Sequence, residues 1–121
     1  MLRASTDAKV VAALFARRAE ASAARVEARR KLLLEVLPEL TRKLVERGAR
    51  RVWLFGSLAW GTAHEASDID LAAEGLAADD LLRLQGELLL QSPGRIDLVR
   101  IEEAPPALAR RIRAHGKLLH G

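Results

Sequence analysis

The sequence predicts an α/β (α+β) fold, in which a small mixed β-sheet packs with helices and follows an N-terminal helical extension. Residues 7–47 carry apolar side chains at three- and four-residue steps, as an amphipathic helix does. Three short runs of β-forming residues follow, separated by helical segments, and this alternation is typical of α/β domains. With 121 residues, half of them hydrophobic, the chain is long enough for one compact domain.

The N-terminal segment is predicted as a long helix over 7–47, with an N-cap among residues 5–7. Because proline lacks an N–H and disturbs the preceding turn, Pro38 predicts a kink or a break around 35–37. Gly48 suits the end of the helix. We therefore divide the chain into an N-terminal helical extension, 1–48, and a second domain, 49–121. The apolar face of the helix comprises Val10, Val11, Leu14, Phe15, Val26, Leu33, Leu37, Leu40 and Leu44.

Two strands are predicted on either side of a turn and a polar loop. Residues 51–55 are β-formers that stop at Gly56, and residues 68–72 form the second strand. Between them we expect a helical turn over 57–61 and a loop over 62–67.

The C-terminal part is predicted to contain two helices and a third strand. An acidic pair at 79–80 caps a helix that runs through Leu90, and a turn at 92–94 leads into a strand over 95–101. Prolines then open the last helix. That helix begins at Pro105-Pro106 and carries Leu108, Ile112 and Leu119 inward, with His115 and His120 also on it.

A pair of aspartates suggests where the chemistry lies. Asp68 and Asp70 are one residue apart, so their side chains point to the same side of an extended segment. Two carboxylates this close repel each other unless a cation lies between them. The upstream turn Gly56-Ser57 can offer backbone N–H groups and a hydroxyl to an anion. The pattern predicts a site for metal-bound phosphate, although each part alone also fits an ordinary capped turn.

The spacing Gly56-Ser57-x10-Asp68-x-Asp70, with Asp97 in the third strand, resembles the nucleotidyltransferase superfamily of DNA polymerase beta. In size the chain is similar to the minimal nucleotidyltransferases, the MNT proteins. A turn, a spacing, a carboxylate pair and a distal carboxylate occur in the family's order, which is more specific than a lone Asp-x-Asp. The resemblance implies that 49–121 is a minimal nucleotidyltransferase domain with the polymerase beta-like fold.

The resemblance also implies an activity: a magnesium-dependent transfer of AMP from ATP to a hydroxyl. Two Mg²⁺ ions clamp the attacking and leaving oxygens in such sites. Asp68, Asp70 and Asp97 are the implied catalytic residues and metal ligands, and Asp97 also helps the acceptor hydroxyl to lose its proton. Gly56 and Ser57 are the implied nucleotide-binding residues, at the β- and γ-phosphates.

The chain departs from the family's commonest turn, Gly-Ser-Arg-Ala-Arg-Gly, because Leu-Ala-Trp-Gly occupies 58–61. Two cations near the triphosphate are therefore missing, and Arg51 or Arg95 is the candidate to compensate. Trp60 is expected to pack on the sheet, with stacking on a nucleobase as the alternative.

Several other classes of site are rejected. Gly56-x4-Gly61 is followed by Thr62, where a P-loop needs lysine. No histidine has a partner at metal-ligand spacing, and His64 is assigned to an exposed loop. The chain has no cysteine, which excludes disulfide scaffolds, thiolate catalysis and zinc-ribbon sites.

Positive charge is concentrated in the first part of the chain. Residues 1–50 contain 12 Lys or Arg and 6 acidic residues, whereas 51–121 contain 8 and 10. A basic helical face is usually only solvated, and four aromatic residues are too few for base stacking. A nucleic-acid partner is therefore only a minor hypothesis. No apolar run approaches the roughly 18 residues of a membrane span, so we expect no membrane association and assign the chain to the cytoplasm.

Three hypotheses concern partners. The resemblance implies a helical HEPN-family partner, the toxin of a toxin–antitoxin pair, on which the MNT antitoxin adenylylates a tyrosine hydroxyl. The alternative is a non-catalytic antitoxin, a binding module that neutralises its helical partner by complex formation alone. A third hypothesis makes the basic N-terminal helix functional, as an arm for a homo-oligomer or as a nucleic-acid contact. Its apolar stripe favours the homo-oligomer.

Overall fold

The computed structural model describes residues 3–64 and 67–121. Its four strands are β1 (Arg51–Phe55), β2 (Ile69–Glu74), β3 (Ile96–Arg100) and β4 (Lys117–His120). They form one sheet in the order β3-β2-β1-β4. β1 pairs antiparallel with β2 and β4, whereas β2 and β3 are parallel. The predicted mixed sheet is confirmed.

The α-helices of the described part are α1 (Arg3–Glu35), α2 (Leu37–Glu46), α3 (Gly56–Trp60), α4 (Leu81–Gln91) and α5 (Pro106–His115). The predicted break before Pro38 is confirmed, because α1 ends at Glu35 and α2 begins at Leu37. Pro38 lies in the first turn of α2, where no helical N–H is needed. The N-cap predicted among residues 5–7 is wrong, since α1 already begins at Arg3.

Alternation along the strands builds an apolar cluster on each face of the sheet. In β2, Ile69 and Leu71 face the larger cluster, which α2 and α4 cover, whereas Ala72 faces the smaller one. Asp70 alternates with Ile69 and Leu71, so it lies on the face of the smaller cluster. The buried members of the smaller cluster are Trp53, Phe55, Ala72, Ile101 and Ile112.

The C-terminal segment differs from the prediction. The last helix ends at His115, and Leu119 and His120 lie in β4 instead. Gly116 adopts extended backbone (φ −68°, ψ 156°), and the following residues pair with β1, which supplies partners for backbone groups that would otherwise be unpaired.

The end of α1 and all of α2 share the main core of the sheet. Leu33, Leu40 and Leu44 are fully buried there, and Leu37 is nearly so. The division of the chain at residue 48 stays a prediction. Across the described ranges, no helix combines the length and the apolar character needed to cross a membrane.

Candidate active site

Strand directions bring the predicted site residues to one edge of the sheet. β1 is antiparallel to β2, and β2 is parallel to β3, so the end of β1 meets the beginnings of the other two strands. Gly56 directly follows β1, Asp68 directly precedes β2, and Asp97 is the second residue of β3. The predicted site residues therefore converge, although they lie in or next to three different strands.

Asp70 and Asp97 are direct register partners on neighbouring parallel strands, so their side chains lie on the same face of the sheet. Burial, and then the negative charges of Asp97 and Asp68, raise the pKa of Asp70 to about 6. The three carboxylates thus repel one another, and a bound cation would relieve that repulsion. Within residues 3–64 and 67–121, no three Asp, Glu or His side chains are already grouped as a metal site.

The turn after β1 lies directly against this acidic group. Gly56 has φ +76°, and a Cβ added to it would lie 2.0 Å from Oδ2 of Asp70. A side chain is therefore excluded both by the backbone conformation and by the carboxylate. The glycine of the predicted anion-binding turn allows the Asp70 carboxylate to approach the backbone.

The hydroxyl of Ser57 is held by a residue that the sequence reasoning missed. Ser57 Oγ lies 3.0 Å from Ser67 Oγ, and the backbone N–H of His64 donates to Ser67 Oγ at 2.7 Å. Ser67 is only 2% exposed. Its position immediately before Asp68 was the available signal. Of the predicted loop over 62–67, residues 65 and 66 lie outside the described part.

Trp60 packs against the fold, as expected. Its ring centroid lies 6.3 Å from that of Phe55, and its Nε1 donates to the carbonyl oxygen of His115 at 3.2 Å. The Arg111 guanidinium lies over the Trp60 ring, 3.8 Å from the centroid. The Trp60 indole therefore packs, stacks and hydrogen-bonds within the protein.

The two candidate compensating cations have different positions. Arg51 begins β1, at the opposite edge of the sheet from the acidic group, and binds Glu74 at 3.0 Å. The prediction that it compensates for the missing turn cations is therefore wrong. Arg95 is exposed and directly precedes β3, which places it at the edge that carries the acidic group.

The family model described as "Polymerase beta, Nucleotidyltransferase" matches residues 39–121. Protein adenylyltransferase MntA of Shewanella oneidensis is 34% identical to this chain over 96 residues. The matched region covers 75% of this chain but 61% of MntA, so the chain spans less than two thirds of that relative's length.

Solved structures share the fold. A crystal structure of a toxin-antitoxin with AMP-PNP superposes with a TM-score of 0.61 and 29% identity, covering 72% of each chain. A minimal nucleotidyltransferase superposes with a TM-score of 0.57 and 29% identity, covering 74% of this chain and 88% of the other. The expectation of a nucleotidyltransferase fold is confirmed.

Proposed function

Because the chain belongs to the polymerase beta nucleotidyltransferase family, we propose that it transfers AMP from ATP to a hydroxyl of a partner protein, with Mg²⁺ as cofactor. The strongest support is the placement of Asp70 and Asp97 in register on adjacent strands, with Gly56 against the Asp70 carboxylate. The similarity to a protein adenylyltransferase favours a protein acceptor, and the related structure with AMP-PNP favours an adenine nucleotide.

The donor set of the site fits magnesium. Asp68, Asp70 and Asp97 would supply carboxylate oxygens, the ligands that Mg²⁺ prefers. Burial, and then the charges of Asp97 and Asp68, raise the pKa of Asp70. Such a shift is expected where carboxylates lie close together without a counter-charge. When bound, Mg²⁺ supplies charge stabilisation at the phosphates and at the oxygens that exchange.

The chain's own residues position the reactants. The acceptor hydroxyl oxygen attacks the α-phosphorus, the bond to pyrophosphate breaks, and pyrophosphate leaves. Asp97 is proposed to accept the hydroxyl proton. Ser67 can donate to Ser57 Oγ while it accepts from His64, which would leave the Ser57 proton available for a phosphate oxygen.

We propose that the acceptor is a HEPN-family toxin and that this chain is its antitoxin. The second candidate is a non-catalytic antitoxin that acts by complex formation. The sequence at 58–61 favours it modestly, because none of these four residues is basic and because Leu58 is buried and Trp60 is packed.

Incubation with labelled ATP, Mg²⁺ and the partner separates these functions. Label on the partner that disappears in Asp68→Asn/Asp70→Asn supports transfer. The matched control is Asp79→Asn/Asp80→Asn, another acidic pair, in the turn Ala78–Asp80 that follows the other end of β2. A tight complex without label, equally tight in Asp68→Asn/Asp70→Asn, supports complex formation alone. If the partner carries no label and forms no complex with the chain, both proposed functions are contradicted.

Self-association through α1 is a further part of the proposed partner set. Val10, Val11, Leu14 and Phe15 are 48–63% exposed on one side of this helix. If two copies pair antiparallel about an axis between positions 12 and 13, Val11 faces Leu14 and Val10 faces Phe15. Asp7 then faces Arg18 at both ends of this apolar centre, since positions 7, 11, 14 and 18 share one helix face. This self-complementarity favours a second copy of the chain as the occupant.

Analytical ultracentrifugation tests this contact. We expect a dimer for the unmodified chain, a monomer for Arg18→Asp, and a restored dimer for Asp7→Arg/Arg18→Asp, which exchanges the two charges. A monomer at all concentrations for the unmodified chain, or no effect of Arg18→Asp, would contradict it.

A further inference from the structure

Arg29 of α1 spans the two loops that lead into the acid-bearing strands. Its Nε and Nη2 each donate to the carbonyl oxygen of Ser67 at 3.4 Å, and its Nη1 donates to the carbonyl oxygen of Pro93 at 3.4 Å. Ser67 directly precedes Asp68, and Pro93 lies four residues before Asp97. One side chain of the N-terminal helix therefore connects the entries of β2 and β3.

Gly94 lies directly against the Arg29 guanidinium. A Cβ added at Gly94 would lie 2.2 Å from Nη2 and 3.0 Å from Cζ of Arg29. Gly94 is not among the glycines with positive φ, so a side chain there would collide with the guanidinium without straining the backbone. The same two loops are also joined by the backbone, because the N–H of Ile69 donates to the carbonyl oxygen of Arg95 at 3.0 Å.

The helix is anchored close to this contact. Leu33 lies one turn after Arg29 and is fully buried in the main core. Arginine suits the position because its planar guanidinium offers several N–H donors in a fixed fork, whereas lysine has a single ammonium head. The anchored turn thus presents a fork that can hold two carbonyl groups at once.

We propose that Arg29 is a positioning residue of the transferase site. It holds the two loops together, so that Asp68, Asp70 and Asp97 stay close enough to share a cation and the nucleotide phosphates. This inference rests on the proposed function. Because Arg29 lies outside the family match at 39–121, the contribution of the N-terminal helix goes beyond what the family model covers.

A double-mutant cycle tests the inference. Affinity for MgATP is measured by calorimetry for Arg29→Gln, Gly94→Ala and the double variant, together with the thermal midpoint of each without ligand. We expect each single variant to weaken MgATP about tenfold, as loss of a supporting contact does. The double variant should be no weaker than either single variant, because both remove the same contact. Arg29→Lys should resemble Arg29→Gln, since it keeps the charge and loses the fork.

Two controls separate this effect from general damage. Arg30→Gln removes a neighbouring exposed arginine that pairs with Glu27 at 3.3 Å, and it should leave MgATP affinity unchanged. Gly86→Ala adds a methyl group where nothing lies within 4 Å, and it should also leave affinity unchanged. If Arg29→Gln fails to fold, Gly94→Ala measured against Gly86→Ala carries the test.

The outcomes distinguish the two proposals. An unmodified chain that binds no MgATP contradicts the proposed function. An unmodified chain that binds MgATP, with Arg29→Gln and Gly94→Ala equal to their controls, overturns the role of Arg29 alone. A double variant whose MgATP affinity falls about a hundredfold, the product of two tenfold losses, would also overturn it, because independent effects add in free energy.

Discussion

Gly56 and Asp70 are in direct contact, and a Cβ on Gly56 would lie 2.0 Å from Oδ2 of Asp70. The turn that closes β1 and the carboxylate of β2 therefore form one unit. This arrangement explains why glycine stands at the point where the chain leaves the first strand.

Gly56→Ala should abolish the proposed AMP transfer and destabilise the fold. Gly61 is a matched control, because its φ of +77° is nearly the same while nothing lies within 4 Å of an added Cβ. Both alanine variants should lose about 1–2 kcal/mol from the left-handed backbone, and Gly56→Ala should lose at least ~1 kcal/mol more through overpacking. Urea unfolding measures the difference. Equal losses, with transfer retained in both, would show that the contact with Asp70 is unimportant.

Replacing Asp70 by asparagine should stabilise the metal-free protein above neutral pH. Burial, followed by Asp97 and Asp68, raises the pKa of Asp70 from 3.8 to about 6. Between these values the folded state binds more protons than the unfolded state, so stability falls as pH rises through this window. Since the carboxyl is partly exposed, we expect Asp70→Asn to gain only about 1 kcal/mol at pH 8 and nothing at pH 4.

Urea unfolding in the presence of a chelator at both pH values measures this gain. Asp80→Asn, which replaces a carboxylate at the end of the turn Ala78–Asp80, is the control. A gain of the same size at pH 4 and pH 8 would argue against the raised pKa.

Much of the fold, and the placement of the candidate site residues, was predictable because the signals are local. Residues close together in the sequence determine the strand runs, the break before Pro38 and the spacing from Gly56 to Asp70. The predicted superfamily is confirmed. β4 was not predictable, since Leu119 lies seven residues after Ile112 and fits a helical face. Its strand conformation depends on pairing with β1, more than sixty residues away.

The contacts that support the site were missed for a related reason. Arg29 and Ser67 are 38 residues apart, and no periodicity of the helix marks the arginine as different from its neighbours. From the sequence alone, Ser67 is interpreted as a cap before an acidic pair. Its contact with Ser57 Oγ becomes evident only in the folded chain.

Ser67→Ala should weaken both the fold and the proposed reaction. It removes the partner of Ser57 Oγ and the side-chain acceptor of the His64 backbone N–H. The expected loss in the free energy of unfolding is about 1–3 kcal/mol, and AMP transfer should fall with it. Thr62→Ala, in the exposed part of the same loop, should change neither quantity. Unfolding and transfer assays that fail to separate the two variants would contradict the assigned role.

Leu40→Ala tests whether α2 is an integral part of the sheet's core. Leu40 is fully buried, so its truncation should cost about 2–5 kcal/mol of unfolding free energy. Leu32→Ala, at a position that is 46% exposed, should stay within about 0.5 kcal/mol of the unmodified chain. A small effect for Leu40→Ala would instead favour a separable extension that ends at residue 48.

The central claim is that Asp68, Asp70 and Asp97 jointly hold a divalent ion. A crystal grown with Mn²⁺ and a non-hydrolysable ATP analogue, measured for anomalous scattering, tests it most directly. We expect a manganese peak within about 2.0–2.6 Å of carboxylate oxygens from these aspartates, with the nucleotide phosphates beside Ser57. A bound nucleotide whose manganese lies away from all three aspartates would contradict the claim.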